Sequence, residues 1–317
     1  MAEKLLSVQH LKKYFPTKHG LLHAVDDVSF VIRQGETLGL VGESGCGKST
    51  IGRLILRLIQ PTSGHVYFKD TDVTALNKDD MRRMRRKMQI VFQDPYASLD
   101  GRKSVFETIG EPLRVQKIFH DKKSYEQRVY ELMELSGLAR RLANAYPHEL
   151  DGGRRQRVGI ARALALNPEF IVLDEPVSAL DVSIQAQVLN LMEELQKNLK
   201  LTYLFISHDM GVIKHISNVI AVMYLGQIVE IGPDKELFRR PLHPYTKALL
   251  SAVPIPSIDV VQHRIILKGD VPNPIDPAPG CRFANRCLQC IDRCRKETPV
   301  LQEILPGRSA ACHLLKQ

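Results

Sequence analysis

The sequence predicts an α/β fold in which helices cover a largely parallel sheet, and three observations lead to that prediction. The chain of 317 residues is 44% hydrophobic, which is enough for a large core with an appended segment. A Gly-rich loop at residues 42–50 follows one apolar strand and precedes a helical run. From Arg155 onward a helix, a buried strand, a second helix and a second strand at residues 202–207 alternate, as a parallel sheet covered by helices requires.

Composition excludes several classes of protein before any motif is considered. The hydrophobic content excludes a disordered chain, a collagen and a disulfide-stabilised miniprotein. The formal net charge of +9 favours a phosphate-rich or polyanionic partner, which leaves nucleotide, nucleic acid and anionic membrane surface open. The densest basic run, at residues 82–87, lies in a predicted helix that Asn77 can cap and on which Met81, Met84 and Met88 form an apolar stripe. It has no aromatic residue among its charges, so we interpret it as a solvated helix face in preference to a nucleic-acid site.

Neither a membrane span nor a secretion signal is evident in the sequence. The longest apolar runs, such as residues 219–225, are far shorter than the roughly 18 residues that a spanning helix needs. The N-terminal residues lack the apolar stretch and the small-residue cleavage site of a secretory signal. We therefore expect the protein to stay in the cytosol.

The pattern of elements changes along the chain. Strand-like patterns occupy residues 5–8, 28–32 and 37–41, and helical periodicity occupies about 105–150. One helical face there comprises Tyr125, Val129, Leu132, Leu135 and Leu138. After Pro254, prolines recur with little periodicity, which indicates an appended segment instead of more sheet. No internal repeat is evident, so we expect one nucleotide-binding unit.

The Gly-rich loop matches the eight-position phosphate-binding pattern. Its glycines let backbone N–H groups turn inward around phosphate oxygens, and the following helix adds a partial positive charge. Lys48 can reach the β and γ phosphates, Ser49 is expected to ligate magnesium, and Cys46 is interpreted as a loop filler. The loop residues predicted to bind nucleotide are Gly42, Ser44, Gly45, Cys46, Gly47, Lys48, Ser49 and Thr50.

Two carboxylates follow the buried strand at residues 170–173. They lie at the C-terminal edge of that strand, where open α/β sheets hold their ligands. Asp174 is expected to orient magnesium through its water shell. Glu175 is expected to accept a proton from the water that attacks the γ phosphate.

With these motifs the chain resembles the ATP-binding subunits of ABC transporters over its entire length. Gln93 resembles the family's Q-loop glutamine, which senses nucleotide and magnesium and links the site to the permease. His208 resembles the catalytic switch histidine that contacts the γ phosphate, and Tyr14 resembles the aromatic residue that stacks on adenine. The residues that resemble the signature motif, which serves the opposite subunit's ATP, are Asp151, Gly152, Gly153 and Arg154; those that resemble the D-loop are Ser178 and Asp181. Asp151 departs from the family pattern, which usually has serine there, and we expect it to act as a helix N-cap towards the N–H groups of Gly153 or Arg154.

The resemblance implies a fold and a domain organisation. The implied fold is a P-loop ABC ATPase with a RecA-like parallel-sheet core, an N-terminal antiparallel β part, a helical subdomain and a C-terminal cysteine-rich extension. We expect the ATP-binding cassette at residues 1–255, with the helical subdomain at about 96–154, and a metal-cluster extension at 256–317.

Two further stretches, residues 94–99 and 243–250, resemble the ATPase subunits of dipeptide and oligopeptide importers. This implies a peripheral ATPase on the cytoplasmic face of the cell membrane that hydrolyses ATP to power peptide import. The implied partners are two membrane permease subunits, a second paralogous ATPase in a heterodimer and, indirectly, an extracytoplasmic peptide-binding protein, with no nucleic acid. Nickel or sugar remains an alternative substrate because those importers share these features. A soluble ABC ATPase acting on nucleic acid or ribosomes is the alternative function, and the net charge would suit it.

The cysteines are distributed unevenly, with five of the six beyond residue 280. In a cytosolic protein such a group suggests metal. The segment resembles the cysteine-rich segment of the same importers, which implies a [4Fe–4S] cluster on Cys281, Cys287, Cys294 and Cys312. Zinc is one alternative, because Cys287 and Cys290 have zinc-ligand spacing and His313 lies nearby, and a group of thiols without metal is another. Cys290 is additional to the family pattern and is interpreted as a spare.

Overall fold

The computed structural model describes residues 3–253, 264–269 and 272–315. These fall into two compact units. The inserted unit is Leu76–Ile206, and the flanking unit is Glu3–Ala75 together with the described residues from Ser207 onward. The expected boundary between residues 255 and 256 lies outside the described residues.

The strands and helices have the following bounds. The strands are β1 (Lys4–Thr17), β2 (Gly20–Arg33), β3 (Thr37–Val41), β4 (Ser63–Phe68), β5 (Thr71–Asp72), β6 (Met88–Val91), β7 (Phe170–Asp174), β8 (Thr202–Ser207), β9 (Val219–Tyr224), β10 (Gln227–Pro233), β11 (Gln302–Leu305) and β12 (Arg308–Ala310). The α-helices are α1 (Lys48–Ile55), α2 (Lys78–Lys87), α3 (Pro95–Ser98), α4 (Val105–Val115), α5 (Lys122–Leu135), α6 (Gly152–Leu164), α7 (Val182–Leu199), α8 (Met210–Ile216), α9 (Asp234–Arg239), α10 (Pro244–Ser251) and α11 (Asp292–Lys296).

An antiparallel sheet opens the flanking unit, in the order β2, β1, β4, β5. Strands β1 and β2 form a hairpin that is longer than the predicted strands, and the pairing runs from Lys4 with Arg33 to Thr17 with Gly20. Residues 272–276 extend along the outer side of β2, where His23 N donates to Pro274 O at 2.9 Å. The N-terminal antiparallel β part that the family resemblance implied is therefore confirmed.

A second set of strands in the flanking unit supports the Gly-rich loop. Strand β3 pairs in parallel with β9, and all of its residues are buried, which explains its continuous apolar sequence. Strand β9 pairs antiparallel with β10, and β10 with β12. Strand β3 ends at Val41, and the Gly-rich loop connects it directly to the start of α1 at Lys48.

Part of the C-terminal segment continues this sheet. Strands β11 and β12 form a hairpin, and β12 pairs with β10 through Glu230 and Ile231. A buried ion pair between Arg308 Nη2 and Glu230 Oε1, at 3.3 Å, joins the same two strands. The expectation that the segment adds nothing to the sheet is wrong for these residues, because strands of three and four residues are too short for a period-two pattern to be visible.

In the inserted unit, β6, β7 and β8 form parallel pairs, and β7 is buried at every position. Helix α2 begins after Asn77, whose side chain accepts from Asp80 N at 2.9 Å, but Met88 starts β6 and does not extend the helix. Helix α5 ends at Leu135, earlier than the predicted periodicity through Leu138.

Across the described residues, no helix combines the length and the apolar character needed to cross a membrane.

Candidate nucleotide-binding site

The Gly-rich loop between β3 and α1 is closed by its own lysine. Lys48 Nζ donates to Gly42 O at 2.8 Å and to Glu43 O at 3.0 Å, and the lysine is almost completely buried. Gly47, with φ of 106°, precedes the helix, and a Cβ atom there would overlap the backbone oxygen of Ala24. The N-terminus of α1 and the ammonium group of Lys48 therefore lie together at this loop. This is the arrangement that binds phosphate.

Cys46 lies within this loop but differs in character from its exposed neighbours Ser44 and Gly45. Its side chain is buried, and burial raises the pKa of the thiol above its usual value. A thiol that keeps its proton is a poor nucleophile at neutral pH.

Glu43 is anchored in the loop from two directions. Its backbone N–H donates to the hydroxyl oxygen of Tyr245 at 3.1 Å, and Tyr245 lies on α10. Its carboxylate accepts from Arg286 Nη1 at 2.9 and 3.1 Å. Sequence reasoning missed Glu43, Tyr245 and Arg286 as a group. The available signal was an acidic residue inside a phosphate-binding loop, which requires a cation to compensate it.

Tyr14, the predicted adenine-stacking residue, belongs to a polar cluster on β1 and β2. Its hydroxyl donates to Asp26 Oδ1 at 2.5 Å, and its ring stacks on His23 with centroids 3.9 Å apart. Asp26 also pairs with Arg282 Nη2. Burial, with the charge and hydrogen bond of Asp26, raises the pKa of Tyr14 far above its usual value, so the hydroxyl remains a donor. Asp26 and Arg282 were not predicted.

Glu175 follows β7 in the inserted unit and has a left-handed backbone, with φ of 45°. Strain of this kind in a non-glycine residue persists where the surroundings impose it, often at functional sites. Gln93 Nε2, just after β6, donates to Glu175 Oε2 at 2.9 Å. Ser178 Oγ donates to Glu175 O at 3.1 Å, so the predicted D-loop serine contacts the predicted base through its backbone. Asp174, the last residue of β7, is buried.

The predicted signature residues form the start of α6. Asp151 is the N-cap, and its Oδ1 accepts from Arg154 N at 2.7 Å while Oδ2 lies 3.3 Å from Arg154 Nε. A Cβ atom on Gly153 would approach Ile184 of α7 too closely, so this glycine allows the two helices to pack. Asp151 and Arg154 both remain exposed.

The remaining predicted residues lie at element ends. His208 is exposed and lies between β8 and α8, whose N-cap is Asp209. Asp181 is the N-cap of α7 and makes no side-chain capping hydrogen bond. Ser49 and Thr50 lie in the first turn of α1.

The cysteine segment forms a neighbourhood of thiols. Burial, together with the charges of Cys294, Cys312 and Cys287, raises the pKa of Cys281 to about 11. Cys281 N donates to Cys294 O at 2.7 Å. Within the described part of the chain, no group of three or more His, Cys, Asp or Glu side chains is arranged to hold a metal ion.

Comparisons with known proteins identify the family. Residues 25–178 match the family model described as ABC transporter, and residues 229–294 match the model described as oligopeptide/dipeptide transporter, C-terminal region. The chain is 53% identical to the putative oligopeptide transport ATP-binding protein YkfD of Bacillus subtilis (strain 168), over 98% of this chain and 96% of that protein. The chain belongs to the ATP-binding proteins of the ABC transporter family.

Other ABC proteins extend the comparison. This ABC protein is 50% identical to the oligopeptide transport ATP-binding protein AppF of the same organism, over 98% of each chain. A solved structure of the ATP-binding cassette MJ0796, a dimer in a post-hydrolysis state with ADP and Pi, is 29% identical with a TM-score of 0.67, and covers 72% of this chain and 98% of that one. The resemblance to ABC ATPases is confirmed. The matches do not favour an ATPase that acts on nucleic acid, or nickel or sugar as substrate.

Proposed function

We propose that this ABC ATPase hydrolyses ATP to drive the import of oligopeptides through a separate membrane permease. The observation that carries the proposal is the presence, in one chain, of an ABC transporter region and of the C-terminal region of oligopeptide and dipeptide transporters. Relatives at 50% identity or more over nearly the whole chain bear oligopeptide transport names.

In the flanking unit, the Gly-rich loop binds the phosphates. Lys48 contacts the β and γ phosphates through an ammonium that already lies against the loop carbonyls, and the N–H groups at the start of α1 receive the negative charge. Ser49 supplies a hydroxyl oxygen to magnesium, a ligand type that this ion accepts. Tyr14 stacks on adenine, and His208 contacts the γ phosphate.

In the inserted unit, Glu175 is the general base. It accepts the proton of the water that attacks the γ phosphorus, while the bond to the β-phosphate oxygen breaks and ADP leaves with those electrons. Gln93 holds the Glu175 carboxylate by its amide and, with Asp174, supplies oxygen ligands or water contacts for magnesium.

Assembly completes the proposed mechanism. The chain pairs with a second, paralogous ATPase, and the signature residues Asp151, Gly152, Gly153 and Arg154 serve the partner's ATP, with Ser178 and Asp181 in the D-loop. The conformational change of the two ATPases is transmitted to two permease subunits, and an extracytoplasmic peptide-binding protein delivers the peptide. The complex lies at the cytoplasmic face of the cell membrane.

The cysteine segment carries a [4Fe–4S] cluster in this proposal, held by Cys281, Cys287, Cys294 and Cys312, with zinc as the alternative and Cys290 as a spare. The support is the donor set: besides burial, the charges of neighbouring thiols raise the pKa values of Cys281, Cys287 and Cys312, so these thiols lie near one another. Thiolates are the ligands that such clusters use. The cluster would supply a structural or sensory centre, separate from ATP chemistry.

The test is ATPase activity in proteoliposomes that contain the permease subunits and both ATPases. Peptide-loaded binding protein should stimulate phosphate release and peptide uptake together, and neither should respond to added RNA or DNA. Stimulation by nucleic acid without any response to the loaded binding protein would reject peptide import in favour of the alternative class.

A further inference from the structure

Two arginines of the cysteine segment contact the nucleotide-binding end of the flanking unit. Arg282 directly follows Cys281, and Arg286 directly precedes Cys287. The side chains of Arg282 and Arg286 are only 8% and 10% exposed. Buried guanidinium groups require carboxylate or carbonyl partners, so their contacts identify what they stabilise.

Arg282 acts on the Tyr14 cluster. Its Nη2 donates to Asp26 Oδ2 at 2.5 Å, and its Nη1 donates to Leu225 O at 3.4 Å. The other oxygen of Asp26 accepts the hydroxyl of Tyr14, and Asp26 N donates to Gly226 O at 2.8 Å. Arg282 therefore holds in place the carboxylate that orients the Tyr14 ring.

Arg286 acts on the Gly-rich loop. Its guanidinium lies against both carboxylate oxygens of Glu43, the second residue of the loop. Without a cation beside it, a carboxylate at this position would repel the phosphates of ATP at short range. Arg286 therefore neutralises the loop as well as holding its shape.

We propose that Arg282 and Arg286 are positioning residues for ATP, Arg282 acting through Asp26 on Tyr14 and Arg286 acting through Glu43 on the phosphate-binding loop. The inference rests on the proposed function, because it assumes that Tyr14 and the loop bind ATP. According to this proposal, Arg282 affects the binding of the base and Arg286 affects the binding of the phosphates.

The test compares two ligands by calorimetry in the presence of magnesium: ATP, and inorganic tripolyphosphate, which has no base. Both are measured with the full chain carrying Glu175→Gln, so that ATP is not consumed. Arg282→Met should weaken ATP binding about tenfold, the effect of one charge-assisted contact, and leave tripolyphosphate binding unchanged. Arg286→Met should weaken both ligands about tenfold.

A matched control and a rescue separate these effects from general damage. Arg293→Met removes the same charge from the same segment, but Arg293 pairs only at the surface with Glu297, so it should change neither affinity. Adding Glu43→Gln to Arg286→Met removes the uncompensated carboxylate, so tripolyphosphate affinity should recover. A clash of shape would not be relieved in this way.

Several results would overturn the inference while leaving the proposed function intact. One is an ATP affinity of Arg282→Met that equals that of Arg293→Met, and another is an equal loss of affinity for ATP and tripolyphosphate in Arg282→Met. The third is a tripolyphosphate affinity that does not recover when Glu43→Gln is added to Arg286→Met. If Arg282→Met does not fold, Arg282→Lys keeps the charge but cannot span Asp26 and Leu225 O together, and should show a smaller loss confined to ATP. Failure of the parent chain to bind either ligand would reject the proposed function itself.

Discussion

Gln93 Nε2 donates a hydrogen bond to Glu175 Oε2 at 2.9 Å. The same glutamate has a left-handed backbone, and its carbonyl accepts the hydroxyl of Ser178. Side chain and backbone are thus held by different neighbours, which gives the carboxylate one orientation. A base held in this way loses little entropy when its water is bound.

Replacing this carboxylate should stop hydrolysis without preventing ATP binding. We expect Glu175→Gln to lower phosphate release at least about 100-fold, because the amide cannot accept the proton, and to trap a closed ATP-loaded dimer. Phosphate release and size-exclusion chromatography with ATP measure the two effects. Glu194→Gln, an exposed change on α7, is the matched control. Normal turnover in Glu175→Gln would exclude the general-base role.

Lys48→Ala provides the contrasting defect. Because the ammonium is proposed to contact phosphate, its loss should weaken ATP binding itself, as measured by calorimetry. If Lys48→Ala and Glu175→Gln showed the same defect, the division of roles between them would be wrong.

The cysteine segment gives a prediction about metal content. Protein purified without oxygen should be brown, with broad absorbance that disappears on replacing Cys281, Cys287, Cys294 or Cys312. Cys290→Ala is the control and should keep the colour. Metal analysis that finds stoichiometric zinc and no iron in the anaerobic protein would contradict the cluster.

Stability should fall in mild acid because of His243. Burial, and secondarily the charge of Lys247, lowers the pKa of His243 to about 3, and its Nδ1 accepts from Tyr245 N at the start of α10. In the unfolded chain the imidazole of His243 gains a proton near pH 6.5, whereas in the folded chain it does not. The contribution of His243 to the free energy of unfolding is therefore fully present above pH 6.5 and is lost as the pH falls towards 3. The expected slope is about 1.4 kcal/mol per pH unit.

Urea unfolding followed by circular dichroism at pH 7 and pH 5 measures this slope, since the chain has no tryptophan. His243→Asn keeps a capping acceptor without a titrating ring, so its slope should be smaller than that of the parent chain. Identical slopes in the two proteins would show that His243 is not the group responsible.

The ion pair between Arg308 and Glu230 should matter to stability. Both side chains are buried, and Glu230 also accepts the N–H groups of Leu242 and His243. Arg308→Met leaves a buried carboxylate without its cation, at an expected cost of about 3 kcal/mol in the free energy of unfolding. The exposed pair at Arg293 should cost less than about 0.5 kcal/mol when Arg293→Met is measured in the same urea series. Equal costs would mean that the buried pair contributes nothing specific.

Asp151 predicts unequal ATP sites in the heterodimer. Its carboxylate contacts Arg154 but stays exposed, and in the proposed heterodimer it would face the partner's γ phosphate. Repulsion should bias hydrolysis several-fold towards the site that contains Lys48. Turnover should fall several-fold more with Glu175→Gln here than with the equivalent change in the partner. Asp151→Ser should strengthen nucleotide binding at the partner's loop, and no change there would contradict the argument.

The parts that could be predicted from the sequence were local. Three features depend only on neighbours within a few positions: the loop at residues 42–50, the two carboxylates at the end of β7 and the N-cap at Asp151. A short stretch of sequence therefore contains the residues that determine each of them. Strand β8 was predicted with its observed ends, Thr202 and Ser207, for the same reason.

The parts that were missed depend on distant pairing. Met88 fits the helical stripe of α2, yet it forms a parallel pair with Phe170, which no local pattern encodes. Leu138 fits the period of α5, but the helix ends before it, at Leu135. Arg282 and Arg286 carry no sign in their own surroundings that their partners lie near the start of the chain.

Glu43 and Arg286 are 243 residues apart in the chain. A ribosome adds Glu43 long before it adds Arg286, so the loop is synthesised before the cation that compensates its carboxylate. A copy truncated before Arg286 should therefore bind ATP about as weakly as Arg286→Met.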